Sequence, residues 1–301
     1  MSAHGGADHT RGMLLRLLRG GAPDTIARES RVPAHELESR QRAFVEHGKR
    51  AMDGTRGSET AWDPEDRLYR TYRSARNLSS VPASPSSVRK TLKIFDSRYS
   101  KYLPPDRGAR IVEIGCGDGT FISFLQSKGF DRVEGVDSSP EQVELARSLG
   151  RHQVTLGDNC DRLKALQGEV DMVVALDVLE HYAKPQLLSL LDAVYAALED
   201  TGVFLIQTPN ADGPFGSRHR YLDFTHELAF TPSSLSQVLR MVGFRHIECV
   251  PVEPVVHGFP SLIRWCAWKT IRLLLVGYLA IETGCLRGHV LTQNMIALAR
   301  K

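Results

Sequence analysis

The stretch Val112-Glu-Ile-Gly-Cys-Gly-Asp-Gly-Thr-Phe121 decides the fold of this chain. The residues from Arg110 to Ile114 predict a short buried strand, and a helix begins at Thr120. Gly115, Gly117 and Gly119 form the turn between these two elements. Closely spaced glycines let the backbone approach a ligand with no Cβ in the way, and the first N–H groups of the helix face that ligand. The stretch therefore predicts a ligand site at the end of a strand.

The glycine spacing and the acid before it distinguish this turn from a dinucleotide site. The turn reads G-x-G-x-G, whereas the dinucleotide fingerprint is G-x-G-x-x-G. Glu113 would repel a pyrophosphate but suits a cationic ligand, such as the amino group and sulfonium of S-adenosylmethionine. The motif resembles E-x-G-x-G-x-G, the first motif of class I S-adenosylmethionine-dependent methyltransferases. The resemblance implies that the cofactor is bound by Glu113, Gly115, Cys116, Gly117 and Gly119.

Strands and helices alternate regularly from this motif onwards. The predicted strands are residues 110–114, 132–136, 153–156, 171–176, 203–207, 244–251 and 290–299. The alternation predicts an α/β fold with a doubly wound, mostly parallel seven-stranded sheet of the Rossmann-like methyltransferase type. The last two strands have no crossover between them, which implies one antiparallel member. A dehydrogenase is the alternative from another class, but the glycine spacing and the C-terminal strands disfavour it.

Acidic residues stand at the carboxyl ends of the predicted strands, where ligand residues gather in open α/β sheets. By the same resemblance, Asp137, which Ser138 follows, accepts the ribose hydroxyls. Asp158 and Asn159 would hold the adenine amino group, and Asp177 would lie near the methionine end. The alternative for any one of these acids is a helix cap or a turn. Their common register with the glycine turn favours the cofactor role.

The sequence Asp177-Val-Leu-Glu180-His181 indicates the class of methyl acceptor. It lacks the N/D-P-P-Y/F pattern of amino-methylating DNA enzymes, which disfavours adenine as the acceptor. It resembles the D-V-L-E-H of ubiquinone-biosynthesis O-methyltransferases, and a related E-x-x-E-H binds a divalent metal. Asp replaces the first Glu here, so the metal stays an open alternative. His181 is a candidate catalytic residue, and shaping the pocket floor is its other interpretation.

A second polar cluster lies in the long loop at residues 209–230, which is richer in functional side chains than a connection needs. His219 and His226 are candidate general bases. The loop resembles methyltransferases found with bacterial cell-surface polysaccharide and glycolipid synthesis. Candidate acceptor-binding residues are Arg218, Arg220, Tyr221 and Asp223. A structural role for this loop is the alternative.

The domains follow from changes in composition and pattern along the chain. Residues 1–10 are predicted to be disordered, and residues 11–54 resemble the helix-turn-helix of insertion-sequence transposases. That resemblance implies DNA binding, while a docking or dimerisation module is the alternative. Residues 55–87 form a linker and a helix. The methyltransferase domain covers residues 88–301, with a helical insertion at residues 257–289.

Composition restricts the remaining choices. A net charge of +3 is too small to argue for nucleic acid. The five cysteines contain no C-x-x-C pair, and the N-terminal apolar run is interrupted by arginines. These features predict a cytoplasmic protein. A helix at residues 261–283 carries tryptophans and cations, which predicts peripheral contact with the inner membrane surface. A buried helix or a homodimer interface is the alternative.

The sequence thus predicts an enzyme that transfers a methyl group from S-adenosylmethionine to a saccharide or glycolipid hydroxyl. A quinone- or polyketide-type phenol O-methyltransferase is the rival enzyme. A third hypothesis, motivated by residues 11–54, is a DNA-binding regulator whose methyltransferase domain only senses the cofactor.

Overall fold

The structure, a computed structural model, describes residues 68–76 and 85–301. These residues belong to one compact unit, Pro64–Lys301. The predicted disorder at residues 1–10 and the helix-turn-helix at residues 11–54 lie outside the described residues, as does most of the linker at residues 55–87.

A seven-stranded sheet forms the centre of the described unit. Its strands are β1 (Ile111–Ile114), β2 (Val133–Asp137), β3 (Val154–Leu156), β4 (Val170–Leu176), β5 (Leu198–Pro209), β6 (His246–Pro251) and β7 (Asn294–Arg300). They lie in the order β3-β2-β1-β4-β5-β7-β6. Strand β7 is antiparallel to both of its neighbours. The predicted fold class, including its single antiparallel strand, is confirmed.

Helices cover both faces of this sheet. They are α1 (Tyr72–Ala75), α2 (Pro85–Tyr99), α3 (Thr120–Ser127), α4 (Pro140–Ser148), α5 (Asn159–Lys164), α6 (Lys184–Ala197), α7 (Gly216–Arg220), α8 (Pro232–Val242) and α9 (Phe259–Thr283). The short helices α5 and α7 were not predicted, because neither is long enough to show helical periodicity. None of the helices within the described ranges is long and apolar enough to cross a membrane.

The core consists of two apolar layers, one on each face of the sheet. Successive side chains of a strand point to opposite faces. In β1, Val112 and Ile114 therefore join one layer, and Ile111 joins the other. Both layers are fully buried, as expected for a parallel sheet covered by helices on both sides.

Helix α2 covers the second layer through an apolar stripe that includes Leu92, Phe95 and Tyr99. The ring of Phe95 lies 5.2 Å from that of Phe121 and 5.8 Å from that of Phe124, with edge-to-face geometry. Tyr99 packs on Phe121 in the same way, with ring centres 5.2 Å apart. These contacts fix α2 against α3, the helix that the glycine turn opens.

The strand register brings several segments to one edge of the sheet. Strands β1, β2, β4 and β5 are parallel, so their carboxyl ends meet there. Pro209, at the end of β5, pairs with Asn294, and Pro251, at the end of β6, pairs with Met295. The insertion that carries α9 therefore rises from the same edge as the glycine turn.

Gly115 provides a test of this packing. Its backbone is left-handed, with a φ of +59°, and an added Cβ would lie 2.6 Å from Cγ2 of Val178. We expect Gly115→Ala to lower the free energy of unfolding by at least about 2 kcal/mol, because backbone strain and overcrowding act together. Urea denaturation measures the effect.

The matched control is Gly129→Ala. Its φ is +88°, and no atom lies within 4 Å of an added Cβ. It should cost only the backbone strain of about 1 kcal/mol. Equal losses in the two variants would contradict the role assigned to the Val178 contact.

Candidate active site

Hydrogen bonds to residues at the ends of β2 and β3 fix the conformation of the glycine turn after β1. The backbone N–H of Gly117, whose φ is +55°, donates to Oδ2 of Asp137 at 2.7 Å. The N–H of Gly115 donates to Oδ1 of Asn159 at 3.2 Å. Asp137 ends the neighbouring strand β2, and Asn159 follows β3, the next strand in the sheet, so the sheet itself sets the shape of the turn.

Glu113 is buried just before this turn with an unsatisfied oxygen. Only 3% of the residue is exposed, and Oε2 has no hydrogen-bond partner. Burial, reinforced by Asp118 and Asp137, raises the pKa of Glu113 well above its ordinary range. A buried carboxylate without a partner is costly, and a cationic ligand group would satisfy it. The site therefore fits a ligand with a positive charge beside the glycine turn.

The end of β2 presents the second predicted cofactor acid. Asp137 is 8% exposed, and its Oδ1 accepts the N–H of Ser139 at 2.8 Å. Its two oxygens thus shape both the glycine turn and the start of α4, while each keeps a lone pair for a ligand hydroxyl. Ser138, between Asp137 and Ser139, is exposed. Cys116 is buried in the glycine turn.

The end of β3 carries a helix cap, the alternative that the sequence also allows for its acid. Asp158 is exposed and caps α5, with Oδ1 accepting the N–H of Asp161 at 2.9 Å. Asn159 is buried, and its Nδ2 donates to the hydroxyl of Tyr182 at 2.7 Å. Because its Oδ1 also accepts the N–H of Gly115, the Asn159 side chain stabilises the glycine turn. The adenine role of these two residues stays a prediction.

Asp177 ends β4 in a strained conformation. Its φ of 57° is the one positive value for a non-glycine residue in the described part of the chain. Nε2 of Gln207 donates to both of its oxygens, at 3.1 and 3.0 Å. The hydroxyl of Tyr99 donates to Oε1 of Gln207 at 2.5 Å. Strain of this kind persists where the surroundings enforce it, commonly at functional sites.

Two residues in this chain of contacts were not predicted from the sequence. Gln207 and Tyr99 orient Asp177, and beside Tyr99 the Nε of Arg98 is buried without a partner. A ligand carboxylate would satisfy that N–H. The apolar stripe of α2 gave the only signal for Tyr99, and it indicated packing.

The predicted catalytic residues His181 and His226 come together with Glu180 beside Asp177. One ligand atom of each lies within 4.8 Å of those of the others. Glu180 is fully buried; its Oε2 accepts the hydroxyl of Thr208 at 3.0 Å, and Oε1 has no partner. The two imidazole rings meet edge to face at 4.8 Å. Burial and the neighbouring His226 lower the pKa of His181 to about 4, so its ring is neutral at neutral pH.

Hydrogen bonds fix the tautomers of both histidines. Thr225 Oγ1 lies 2.9 Å from Oδ1 of Asp223 and 2.8 Å from Nδ1 of His181. The Asp223 carboxylate can only accept, so the single Thr225 proton goes to it, and Thr225 accepts from Nδ1–H of His181. Nδ1 of His226 donates to the carbonyl of His219 at 3.0 Å. Each histidine therefore has a free lone pair on Nε2.

The segment around α1 packs against this cluster. The sequence did not predict this contact. The hydroxyl of Tyr72 donates to Oδ2 of Asp223 at 3.1 Å, and Arg76 forms a salt bridge with the same oxygen at 2.9 Å. Burial alone would raise the pKa of Asp223, but hydrogen bonds from Thr225 and the charge of Arg76 hold it below its ordinary value. The N–H of Arg73 donates to Glu141 of α4 at 2.8 Å, which ties α1 to the cofactor side as well.

The other predicted acceptor residues lie towards solvent. Arg218 is exposed, and Tyr221 is 80% exposed. Nη2 of Arg220 donates to the carbonyl of Glu227 at 2.6 Å. His219 reaches the cluster through its carbonyl, and its own Nε2 is buried without a partner. Of the loop residues, the structure brings Asp223 and His226 to the acid–histidine cluster, and it leaves Arg218, Arg220 and Tyr221 outside.

Comparisons with known proteins agree with this fold. Residues 88–249 match the family model described as a methyltransferase domain. The chain is 30% identical over 156 residues to the ubiquinone biosynthesis O-methyltransferase of Azorhizobium caulinodans, covering 50% of this chain and 57% of that protein. It is 27% identical over 178 residues to the sphingolipid C9-methyltransferase of Candida albicans, covering 53% and 34%. The chain spans about half the length of the curated relatives it matches.

A solved structure shows the same fold. A methyltransferase from Archaeoglobus fulgidus that depends on S-adenosylmethionine aligns with a TM-score of 0.53 and 21% identity, covering 72% of this chain and 97% of that one. The chain belongs to the methyltransferase-domain family. Its fold is that of a class I, S-adenosylmethionine-dependent methyltransferase, as the first motif predicts.

The orphaned oxygen of Glu113 predicts a pH dependence of cofactor binding. The raised pKa means that Glu113 carries a proton in the free protein as the pH falls, and a cationic amino group binds only its charged form. Affinity for S-adenosylhomocysteine should therefore fall with decreasing pH, and binding should release a proton. We expect Glu113→Gln to weaken binding about tenfold or more and to flatten this dependence.

Calorimetry in two buffers of different ionisation enthalpy measures both affinity and proton release. The exposed Glu199→Gln is the matched control and should behave as the wild type. A pH dependence that survives in Glu113→Gln would exclude this role.

Proposed function

We propose that the protein methylates a hydroxyl of a saccharide or glycolipid acceptor. The observation that carries the proposal is the polar cluster beside Asp177, where the imidazole rings of His181 and His226 meet the buried carboxylate of Glu180, with one ligand atom of each within 4.8 Å of the others. Methyl transfer to a hydroxyl needs a group that removes its proton. The cluster supplies that group at the acceptor side of the cofactor.

The polar side chains around the acid–histidine cluster favour a saccharide over a flat aromatic acceptor. Tyr72, Arg76, Asp223 and Thr225 supply hydroxyl, guanidinium and carboxylate groups around the histidines. Several directional hydrogen-bonding groups around one acceptor suit a molecule with several hydroxyls. The neighbouring Leu222 and Phe224 are 60% and 90% exposed, which supports contact with a lipid-linked acceptor at the inner membrane surface.

His226 is the base in this mechanism. When bound, S-adenosylmethionine supplies an electrophilic methyl group on its sulfonium. The Nε2 lone pair of His226 takes the proton of the acceptor hydroxyl, and the His219 carbonyl holds Nδ1–H in place. His181 is a weaker proton acceptor because its pKa is lowered to about 4. It positions His226 by ring contact, while Thr225 and Asp223 orient His181.

The same three residues fit a divalent metal. Neutral imidazole nitrogens and a carboxylate oxygen are common metal ligands, and Oε1 of Glu180 is buried without a partner. Glu180, His181 and His226 would hold the ion, which would lower the pKa of an acceptor hydroxyl. Asp177 is engaged by Gln207 and is not a member of this cluster.

A phenol O-methyltransferase is the second candidate. The relatives named for ubiquinone biosynthesis and the motif from Asp177 to His181 favour it. A phenol is more acidic than a sugar hydroxyl, so the same base would serve. For the third hypothesis, a DNA-binding regulator, the residues that motivate it lie outside the described part of the chain.

The base assignment predicts the activity of single variants. His226→Gln should lower kcat by about 100-fold or more, because general-base catalysis contributes that much. Cofactor affinity should stay within about twofold, since the ring lies on the acceptor side. The exposed His152→Gln is the matched control and should keep full activity.

Treatment with a chelator distinguishes a histidine base from a metal-dependent mechanism. We expect activity to survive exhaustive treatment with a chelator, as a histidine base requires. Loss of activity that Mg²⁺ or Mn²⁺ restores would assign Glu180, His181 and His226 to a metal instead.

The acceptor class is tested by transfer of a labelled methyl group. Purified protein is incubated with methyl-labelled S-adenosylmethionine and, separately, nucleotide sugars, lipid-linked saccharides and catechol-type phenols. Label on a saccharide oxygen, located by NMR, is the expected result. Label on the phenols alone would favour the rival function.

A further inference from the structure

Helix α9 exposes an apolar stripe along its whole length. Phe259, Ile263, Leu274, Tyr278 and Ile281 follow helical spacing and are 75%, 55%, 69%, 62% and 90% exposed. The 25-residue helix buries only Ser261 among its residues. At about 1.5 Å per residue, the stripe from Phe259 to Ile281 is about 33 Å long. Apolar surface of this extent marks an interaction site.

The stripe contains no charged side chain and has small residues near its middle. Ala267 and Thr270 continue the spacing between Ile263 and Leu274, and Gly277 lies beside Tyr278. Among the described residues, no atom lies within 4 Å of a Cβ added at Gly277. Small side chains at a helix surface let a second helix approach closely.

Two opposite charges border the stripe on one flank. Arg264 and Glu282 are both exposed and are separated by five helical turns, which places them on the same side of α9. They lie equally far from Leu273, close to the middle of the helix. Within the described ranges, neither forms a salt bridge. On the other flank, Lys269 is already paired with Glu253 at 2.7 Å.

This arrangement is self-complementary. In a two-fold pair of antiparallel helices, one flank of a helix meets the same flank of its partner, and residue i contacts j while j contacts i. Arg264 of one copy would then face Glu282 of the other, twice in the pair. The stripe offers on the order of 700 Å² per copy, close to what each partner of a stable complex buries.

We propose that a second copy of this chain covers the stripe, with α9 packed antiparallel on α9 about the two-fold axis. The dimer goes beyond the methyl-transfer proposal and does not depend on it. Because α9 rises from the edge of the sheet that carries the site, the dimer would join its subunits along the side where acceptors enter.

A charge exchange tests the pairing on the full chain without lipid. Sedimentation velocity over a range of concentrations gives the dimer dissociation constant. Arg264→Glu and Glu282→Arg should each weaken the dimer about tenfold or more, because each creates two like-charge contacts. The double variant R264E/E282R should restore wild-type affinity. Arg147→Glu, on an exposed site of α4, is the matched control.

A second variant tests the apolar contact. Leu274→Glu should give a monomer with an unchanged far-ultraviolet circular dichroism spectrum, whereas Met241→Glu, at a residue that is 68% exposed on α8, should leave the dimer intact. A monomeric wild type, or a dimer that Leu274→Glu leaves unchanged, would overturn the proposal. So would a monomer that binds phosphatidylglycerol vesicles through Leu274, which would assign the stripe to a membrane.

Discussion

The hydrogen bond between Gly117 N–H and Asp137 Oδ2 joins the two parts of the predicted cofactor site. It fastens the turn after β1 to the end of β2, and the other Asp137 oxygen sets the start of α4. The left-handed backbone at Gly117 makes this bond possible, since L-residues with a Cβ rarely adopt that conformation. Glu113 is buried beside the turn, where one of its oxygens has no hydrogen-bond partner among the described residues and fits a positively charged ligand.

The acceptor side depends on a different centre, the hydroxyl of Thr225. It joins the Asp223 carboxylate to the His181 ring and so determines which nitrogen of that ring is free. Asp223 in turn holds Tyr72 and Arg76 across the opening. Asp177, with its positive φ, ends β4 between the predicted cofactor residues and the acid–histidine cluster.

The sequence predicted the fold almost completely because its signals are local. Strand ends, glycine positions and the apolar stripe of α2 depend on neighbours in the chain, and the observed strands lie within a few residues of those predicted. Helices α5 and α7 were missed because they are shorter than two turns. The N-terminal start of β5 at Leu198 was also missed, because Glu199, Asp200 and Gly202 do not resemble a strand.

What the sequence by itself determined was the family, the cofactor and the set of polar residues along one edge of the sheet. The tertiary structure decided which of those residues meet. Asp223 and His226 lie with Glu180 and His181, while Tyr221 and Arg218 face the solvent. The sequence could not predict this division, because a loop without periodicity does not reveal which side chains face inwards. Tyr72, Arg76 and Gln207 enter the site from distant parts of the chain. Such contacts depend on the packing of the whole sheet, which no local pattern encodes.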